Sequence, residues 1–263
     1  MDLELKDKVA LVTGGSRGIG RATALMLAGH GVHVGICGRT RDSLDETAAA
    51  VRERGVQCWS YQSDVSKTAD IEQLVAQAAT DAGRIDILVN NAVTSTSAPF
   101  DQLTDEQFQY HIDVKLMAYI RIARLVLPHM EALGGGRIVN VGGMTARIVA
   151  PLRMTNGVVN AGVANFTKQF AGYAARANVT VNCVHPGYTM TERVMQLFER
   201  EAKEAGTAID EVIAKRTGDI PLGRLVDPDD LASAITFFCS PMARMVTGQC
   251  LAVDGGSGTS IPY

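Results

Sequence analysis

Six short apolar runs, separated by longer stretches of helical period, constrain what this chain can fold into more than any other feature. Val9-Ala-Leu-Val12, Val32 to Ile36, Ile85 to Val89, Arg137 to Val141, Val179 to Cys183 and Gly248 to Val253 read as strands. Between them, Arg21 to Ala28, Arg41 to Arg54, Ile71 to Ala79, Asp105 to Leu127 and Asn160 to Ala175 place apolar residues three and four apart, as helices with one buried face do. Strands joined by helical crossovers pair in parallel, and the helices then cover the sheet. The expectation is an α/β fold, one doubly wound parallel sheet with helices on both faces. A chain of 263 residues with 46% hydrophobic content can bury one large core. No repeat, low-complexity tract or linker divides it, and Gly134-Gly-Gly136 reads as a helix-to-strand turn, so residues 1–263 are taken as a single domain.

Charge and cysteine content exclude several classes of function. The formal charge is −3, with 25 basic residues scattered among 28 acidic ones, so no basic patch marks a nucleic-acid partner. Five cysteines without a Cys-x-x-Cys spacing argue against a disulfide framework or a structural zinc, and no metal site is expected. No charged-then-apolar leader opens the sequence, and no apolar stretch is long enough to cross a bilayer. The reading is a cytoplasmic protein with a small-molecule substrate, no nucleic-acid partner and no membrane partner.

The first strand runs directly into Thr13-Gly-Gly-Ser-Arg-Gly-Ile-Gly20 and then a helix. Glycines at 14, 18 and 20 suit a backbone that turns tightly against a pyrophosphate, with Ser16, Arg17 and Ile19 completing a loop whose amides face the anion. Gly-Lys-Ser/Thr is absent, which disfavours a P-loop. The expected architecture is therefore Rossmann-type. A carboxylate at the end of the second strand would accept bonds from a free ribose, but this chain has Gly38-Arg-Thr-Arg41 there. Arg39, helped by Arg17, offers planar donors to a 2′-phosphate, which makes NADP(H) the expected cofactor.

With these motifs in view, the chain resembles the short-chain dehydrogenase/reductase family over essentially its whole length. The resemblance is carried by Thr13 to Gly20, Asp64-Val65, Asn90-Asn91-Ala92, and Pro186-Gly187 followed by Thr189, in this order. It implies that Asp64 and Val65 contact adenine, that Asn91 lines the cofactor cleft, and that Pro186, Gly187 and Thr189 face the nicotinamide. The family usually continues Asn-Asn-Ala with glycine, whereas this chain has Val93.

The same resemblance implies a catalytic set of asparagine, serine, tyrosine and lysine, with the lysine one helical turn after the tyrosine. None of the six tyrosines here is followed four positions later by lysine. Aligning Gly136 to Gly143 puts Gly143 at the serine position, Asn156 at the tyrosine and Asn160 at the lysine, and in Asp113-Val-Lys-Leu116 the asparagine position carries Lys115. Lys115 reads two ways: an ammonium that polarises a carbonyl or shuttles a proton, or a long side chain that snorkels to the surface. It is the one catalytic candidate, while Asn160 is expected to hold a cofactor ribose hydroxyl. Thr145, Arg147 and Arg153 follow the serine position and are candidates to face the cavity. His185 reads as a structural histidine before it reads as an acid/base, and Tyr110, His111 and Tyr188 are further pocket candidates.

Residues 190–225 correspond to the family's substrate lid, with Met190 and Met195 as candidate apolar lining. The resemblance also implies a homo-oligomer, a tetramer before a dimer, through the long helices, the last strand and the Ile261-Pro-Tyr tail. Three functions stay open at this point: an oxidoreductase on a small carbonyl or alcohol with a non-standard proton path, a non-redox lyase, isomerase or dehydratase, and a catalytically weak nucleotide-binding protein with a regulatory or structural role.

Overall fold

A computed structural model describes residues 2–259; the Ile261-Pro-Tyr tail lies outside them. Seven strands form one parallel sheet in the order β3-β2-β1-β4-β5-β6-β7. They are β1 (Val9–Thr13), β2 (His33–Gly38), β3 (Cys58–Gln62), β4 (Ile87–Asn90), β5 (Gly136–Val141), β6 (Val179–Pro186) and β7 (Cys250–Val253). Successive residues of a strand point to opposite faces, and in β1 Ala10 and Val12 enter one core while Leu11 enters the other. Both faces are thus dry, which explains why the strands read as unbroken apolar runs.

Helices α1 (Gly18–Gly29), α2 (Arg41–Arg52) and α9 (Pro228–Cys239) cover the first face, with Leu27, Leu44, Val51 and Ile235 among its fully buried residues. Helices α3 (Thr68–Ala82), α5 (Ala118–Ala132) and α6 (Met154–Ala174) cover the second through Ile71, Tyr119, Ile122 and Val163. Each such aliphatic side chain contributes about 1.5–3 kcal/mol by leaving water. Strand order reverses between β1 and β4, so the connections leaving their C-terminal ends diverge and open a crevice.

The structure differs from the sequence expectations at four elements. Asp105 to Leu127 is not one regular helix: α4 (Asp105–His111) widens into a π-helical turn over Ile112–Met117 before α5 begins, and Lys115 sits inside that turn. Helix α6 starts at Met154 rather than Asn160, which puts Asn156 and Asn160 one turn apart on the same helix. Strand β3 is absent from the expected strands because its middle is only half-buried at the sheet edge, which weakens the apolar signal. Helix α9 is absent from the expected helices although Asp227 caps it reciprocally with Asp230 and Pro228 opens it.

Two further helices, α7 (Glu192–Ala205) and α8 (Ile209–Gly218), pack over a small separate cluster in which Phe198 is fully buried against Ile220 and Leu225. Among the described residues no helix is long and apolar enough to cross a membrane.

Candidate active site

The crevice holds a cavity of about 660 Å³ that brings together most of the residues singled out from the sequence. One end, where the sequence places the nucleotide, is built by the loop after β1. Gly14 and Gly18 have φ of 63° and 53°, a backbone conformation that favours glycine. Helix α1 begins there without a side-chain cap, so its first-turn amides have no side-chain partner at the cap. Gly20 does not line the cavity. Instead, a Cβ at that position would run into the Gly14 carbonyl oxygen and the Asn91 amide, so glycine is what lets the helix close on the loop. Asn91 fixes the loop from β4 by donating through Nδ2 to the Thr13 and Gly14 carbonyls, both at 3.1 Å.

Every other residue expected at the nucleotide lines the same cavity: Gly14, Ser16, Arg17, Gly18, Ile19, Arg39, Asp64, Val65, Asn91, Asn160, Pro186, Gly187 and Thr189. Arg39 donates to the Tyr110 hydroxyl at 3.0 Å and pairs with no carboxylate among the described residues. Arg17 stands 3.7 Å from Glu192 on the exposed rim. Arg41, by contrast, donates to Asp45 and Ser60 and does not line the cavity. Asp64 accepts from the Ser66 amide and hydroxyl at 3.1 and 2.8 Å, which holds its carboxylate in place at the end of β3.

At the opposite end, Lys115, Gly143, Asn156 and Asn160 converge. Lys115 is only 5% exposed, and its ammonium donates to the Gly142 carbonyl at 2.7 Å. The snorkelling reading is thereby replaced: the side chain runs inward from the π-helical turn. Burial pushes the ammonium down to about 7, with the Arg193 cation reinforcing that shift and Cys183 opposing it. His111 is likewise lowered, by burial and then by the Lys115 charge; its Nε2 lies 2.9 Å from the Thr96 hydroxyl.

Gly143 has an extended backbone that any residue can adopt, so conformation does not explain it. Space does. A Cβ there would fall on Nδ2 of Asn160, far inside van der Waals contact. Asn160 donates from Nδ2 to the Thr145 hydroxyl at 2.8 Å, while its buried Oδ1 has no hydrogen-bond partner. Asn156 reaches across to the Thr94 carbonyl at 3.4 Å.

His185 is wholly buried, lies outside the cavity lining, and accepts the Gly143 amide through Nδ1 at 2.9 Å. That bond makes it a backbone brace, with its proton on Nε2. The β6–β7 register also sets Cys183 opposite Cys250, and with His185 they lie within 4.8 Å of one another, a grouping no sequence spacing announced. Tyr110, Tyr188, Thr145 and Arg153 line the cavity, whereas His111, Met190 and Met195 do not. Arg147 turns away to the Cys250 carbonyl at 2.9 Å. Sequence reasoning missed Arg193, which lines the cavity from the first turn of α7 and donates to the Val93 carbonyl at 3.2 Å; the Thr191 cap just before it was the available signal.

A family model described as enoyl-(acyl carrier protein) reductase matches residues 14–258 of this chain. The chain belongs to the short-chain dehydrogenase/reductase family. That family is one of oxidoreductases, and the relatives carry matching names. The cis-4-hydroxycyclohexanecarboxylate dehydrogenase of Sinomonas cyclohexanicum is 35% identical, covering 95% of this chain and 96% of its own length. The 3alpha-hydroxysteroid dehydrogenase of Mediterraneibacter gnavus is 32% identical over 98% and 99%. Among solved structures, L-sorbose reductase from Gluconobacter frateurii, complexed with NADPH and L-sorbose, superposes with a TM-score of 0.96 at 30% identity over 99% of this chain and 100% of that one.

One buried ammonium, one hydroxyl and two carboxamides face the cavity at Lys115, Thr145, Asn156 and Asn160. Carboxamides exchange protons poorly near neutrality, so Lys115 is the ionisable group of this set.

Proposed function

We propose that this protein is an NADP(H)-dependent oxidoreductase that interconverts a small carbonyl compound and its alcohol, with Lys115 moving the proton. The observation that carries the reading is the buried Lys115 ammonium, held on the Gly142 carbonyl beside the position where the family places its serine. Poised near 7, it is available as acid and as base at neutral pH.

The residues present fit the dinucleotide. Uncapped amides at the start of α1 suit its pyrophosphate, and Arg39 without a carboxylate partner among the described residues suits a 2′-phosphate. The orphaned Oδ1 of Asn160 suits a ribose hydroxyl, since a buried acceptor left bare costs about 1–3 kcal/mol. The actinorhodin polyketide ketoreductase, a structural neighbour at TM-score 0.92 and 32% identity, is an NADPH complex like L-sorbose reductase, while the xylitol dehydrogenase neighbour at 28% is NAD+-bound. The arginines are the reason for choosing NADP(H) between them.

The nicotinamide, when bound, supplies a hydride to the carbonyl carbon or removes one from the carbinol carbon. In reduction, Lys115 gives a proton from Nζ to the carbonyl oxygen and is left neutral, a form its burial tolerates. In oxidation, neutral Lys115 takes the hydroxyl proton. Residues 190–225, which include α7 and α8, serve as the lid, with Arg193 reaching across to the Val93 loop. Self-association, as a tetramer before a dimer, uses the α4-to-α5 and α6 faces and the β7 edge, where Leu251 is exposed.

The test is a panel of small carbonyls and alcohols followed at the reduced-nicotinamide absorbance, with NADPH and NADH in parallel. Turnover with NADPH preferred is the expected result. Tight NADPH binding with no turnover by any substrate supports a binding protein instead, and conversion without nicotinamide oxidation supports a non-redox enzyme. Sedimentation of the purified protein checks the assembly state.

A further inference from the structure

A carbonyl reduced by hydride also needs a neutral donor that orients its oxygen, and the residue at the family's serine position has none to give. Gly143 has no side chain, and its amide is spent on Nδ1 of His185. The 3-10 turn Met144–Ala146 starts directly after Gly143 and presents Thr145 to the same cavity.

We propose that the Thr145 hydroxyl takes over this role, that Asn160 aims it, and that position 143 is glycine because Asn160 fills the space above it. This assignment rests on the oxidoreductase reading. The proton inventory supports it. A threonine hydroxyl has one proton and two lone pairs. Asn160 Nδ2–H fills a lone pair of Thr145 Oγ1 at 2.8 Å, and the hydroxyl proton has no acceptor among the described residues. A donor oriented from behind, with its proton unspent and facing a cavity, is what an oxygen-polarising group requires. Asn156, the neighbouring carboxamide, instead donates to the Thr94 carbonyl.

The steric coupling explains the glycine. Any side chain at 143 would displace the Asn160 amide and with it the only hydrogen bond that orients Thr145 among the described residues. Glycine at 143, asparagine at 160 and threonine at 145 therefore form one arrangement in which the hydroxyl enters two residues later in the chain. Lys115 keeps the separate task of transferring the proton, from the Gly142 side of the same loop. Thr145 is the catalytic residue and Asn160 the positioning residue.

Thr145→Val, Thr145→Ser and Asn160→Ala, singly and with Thr145→Val combined with Asn160→Ala, are assayed with the best carbonyl substrate at saturating NADPH. The expected loss in kcat for Thr145→Val is about 10²-fold, with the NADPH dissociation constant unchanged, while Thr145→Ser retains most activity. Asn160→Ala lowers kcat at saturating NADPH in the wild-type background and lowers it much less when Thr145 is already valine, while loss of its ribose contact reads separately as a raised NADPH dissociation constant in both backgrounds. Undiminished kcat in Thr145→Val, or a loss in Thr145→Ser as large as that in Thr145→Val, overturns the assignment while leaving the oxidoreductase reading in place. Failure of the wild type to reduce any carbonyl with NADPH overturns both.

Discussion

The carboxamide of Asn160 occupies the volume that a side chain on Gly143 would need, although the two residues are 17 positions apart and on different elements. Two positions that look independent along the chain are therefore packed as one unit. Placing a serine at 143 without moving Asn160 overpacks the site, so Gly143→Ser is expected to cost about 1–3 kcal/mol in chemical denaturation. Combining it with Asn160→Ala recovers much of that loss, and a strictly additive double mutant would contradict the coupling.

Cofactor discrimination is expected to reside in Arg39. Its guanidinium reaches Tyr110 and no carboxylate among the described residues, so it is free to turn onto a 2′-phosphate. Arg39→Ala should weaken NADPH binding by about 1.5–3 kcal/mol, roughly 10- to 150-fold, and leave NADH nearly unaffected. Fluorescence titration with each nucleotide measures this, and an equal loss for both would remove Arg39 from phosphate recognition.

Lys115 links the site to stability. Burial holds its folded-state value near 7 against about 10.4 in an unfolded chain, with Cys183, Arg193 and His111 as the neighbouring titratable and charged groups. Between these values the unfolded chain binds more protons, so this residue makes stability rise with pH from about 7 to 10. Lys115→Met should raise the unfolding midpoint most at pH 6–7 and progressively less toward pH 10. Thermal unfolding across that range reads the difference, and a constant offset would show that the lysine is not titrating in the fold.

Asp86 acts with the opposite charge. Burial alone would raise its carboxyl, but hydrogen bonds from Arg84 and the Val9 amide, then the Arg84 and Lys8 charges, hold it below the usual carboxylate range. A folded value below the unfolded one stabilises above about pH 4 and is lost as pH falls through the folded value. Asp86→Asn should lower stability at pH 7 by about 1–3 kcal/mol and flatten the acid limb of the unfolding midpoint between pH 2 and 5. An acid limb as steep as the wild type's would contradict this.

That the glycine loop and Arg39 line one cavity was legible from sequence because it depends on short-range features. Gly14, Gly18 and Gly20 follow one strand and open one helix, and Arg39 directly follows the next strand, so spacing alone sets their places. The reaction end depends on contacts between distant segments. That Gly143 yields its space to Asn160, that its amide goes to His185, and that Arg147 turns away toward Cys250 are all results of how β5, α6, β6 and β7 are stacked. Lys115 was identified by position, yet its inward course needed the π-helical turn, and no periodicity separates that turn from an α-helix.

The most direct test of a proton path through Lys115 is the pH dependence of kcat for carbonyl reduction by NADPH, compared between wild type and Lys115→Met. A wild-type rate that falls as pH rises through about 7, mirrored by an alcohol-oxidation rate that rises there, is the predicted result, with both dependences absent and the rates at least about 10²-fold lower in Lys115→Met. Wild-type rates and pH profiles preserved in Lys115→Met would contradict it.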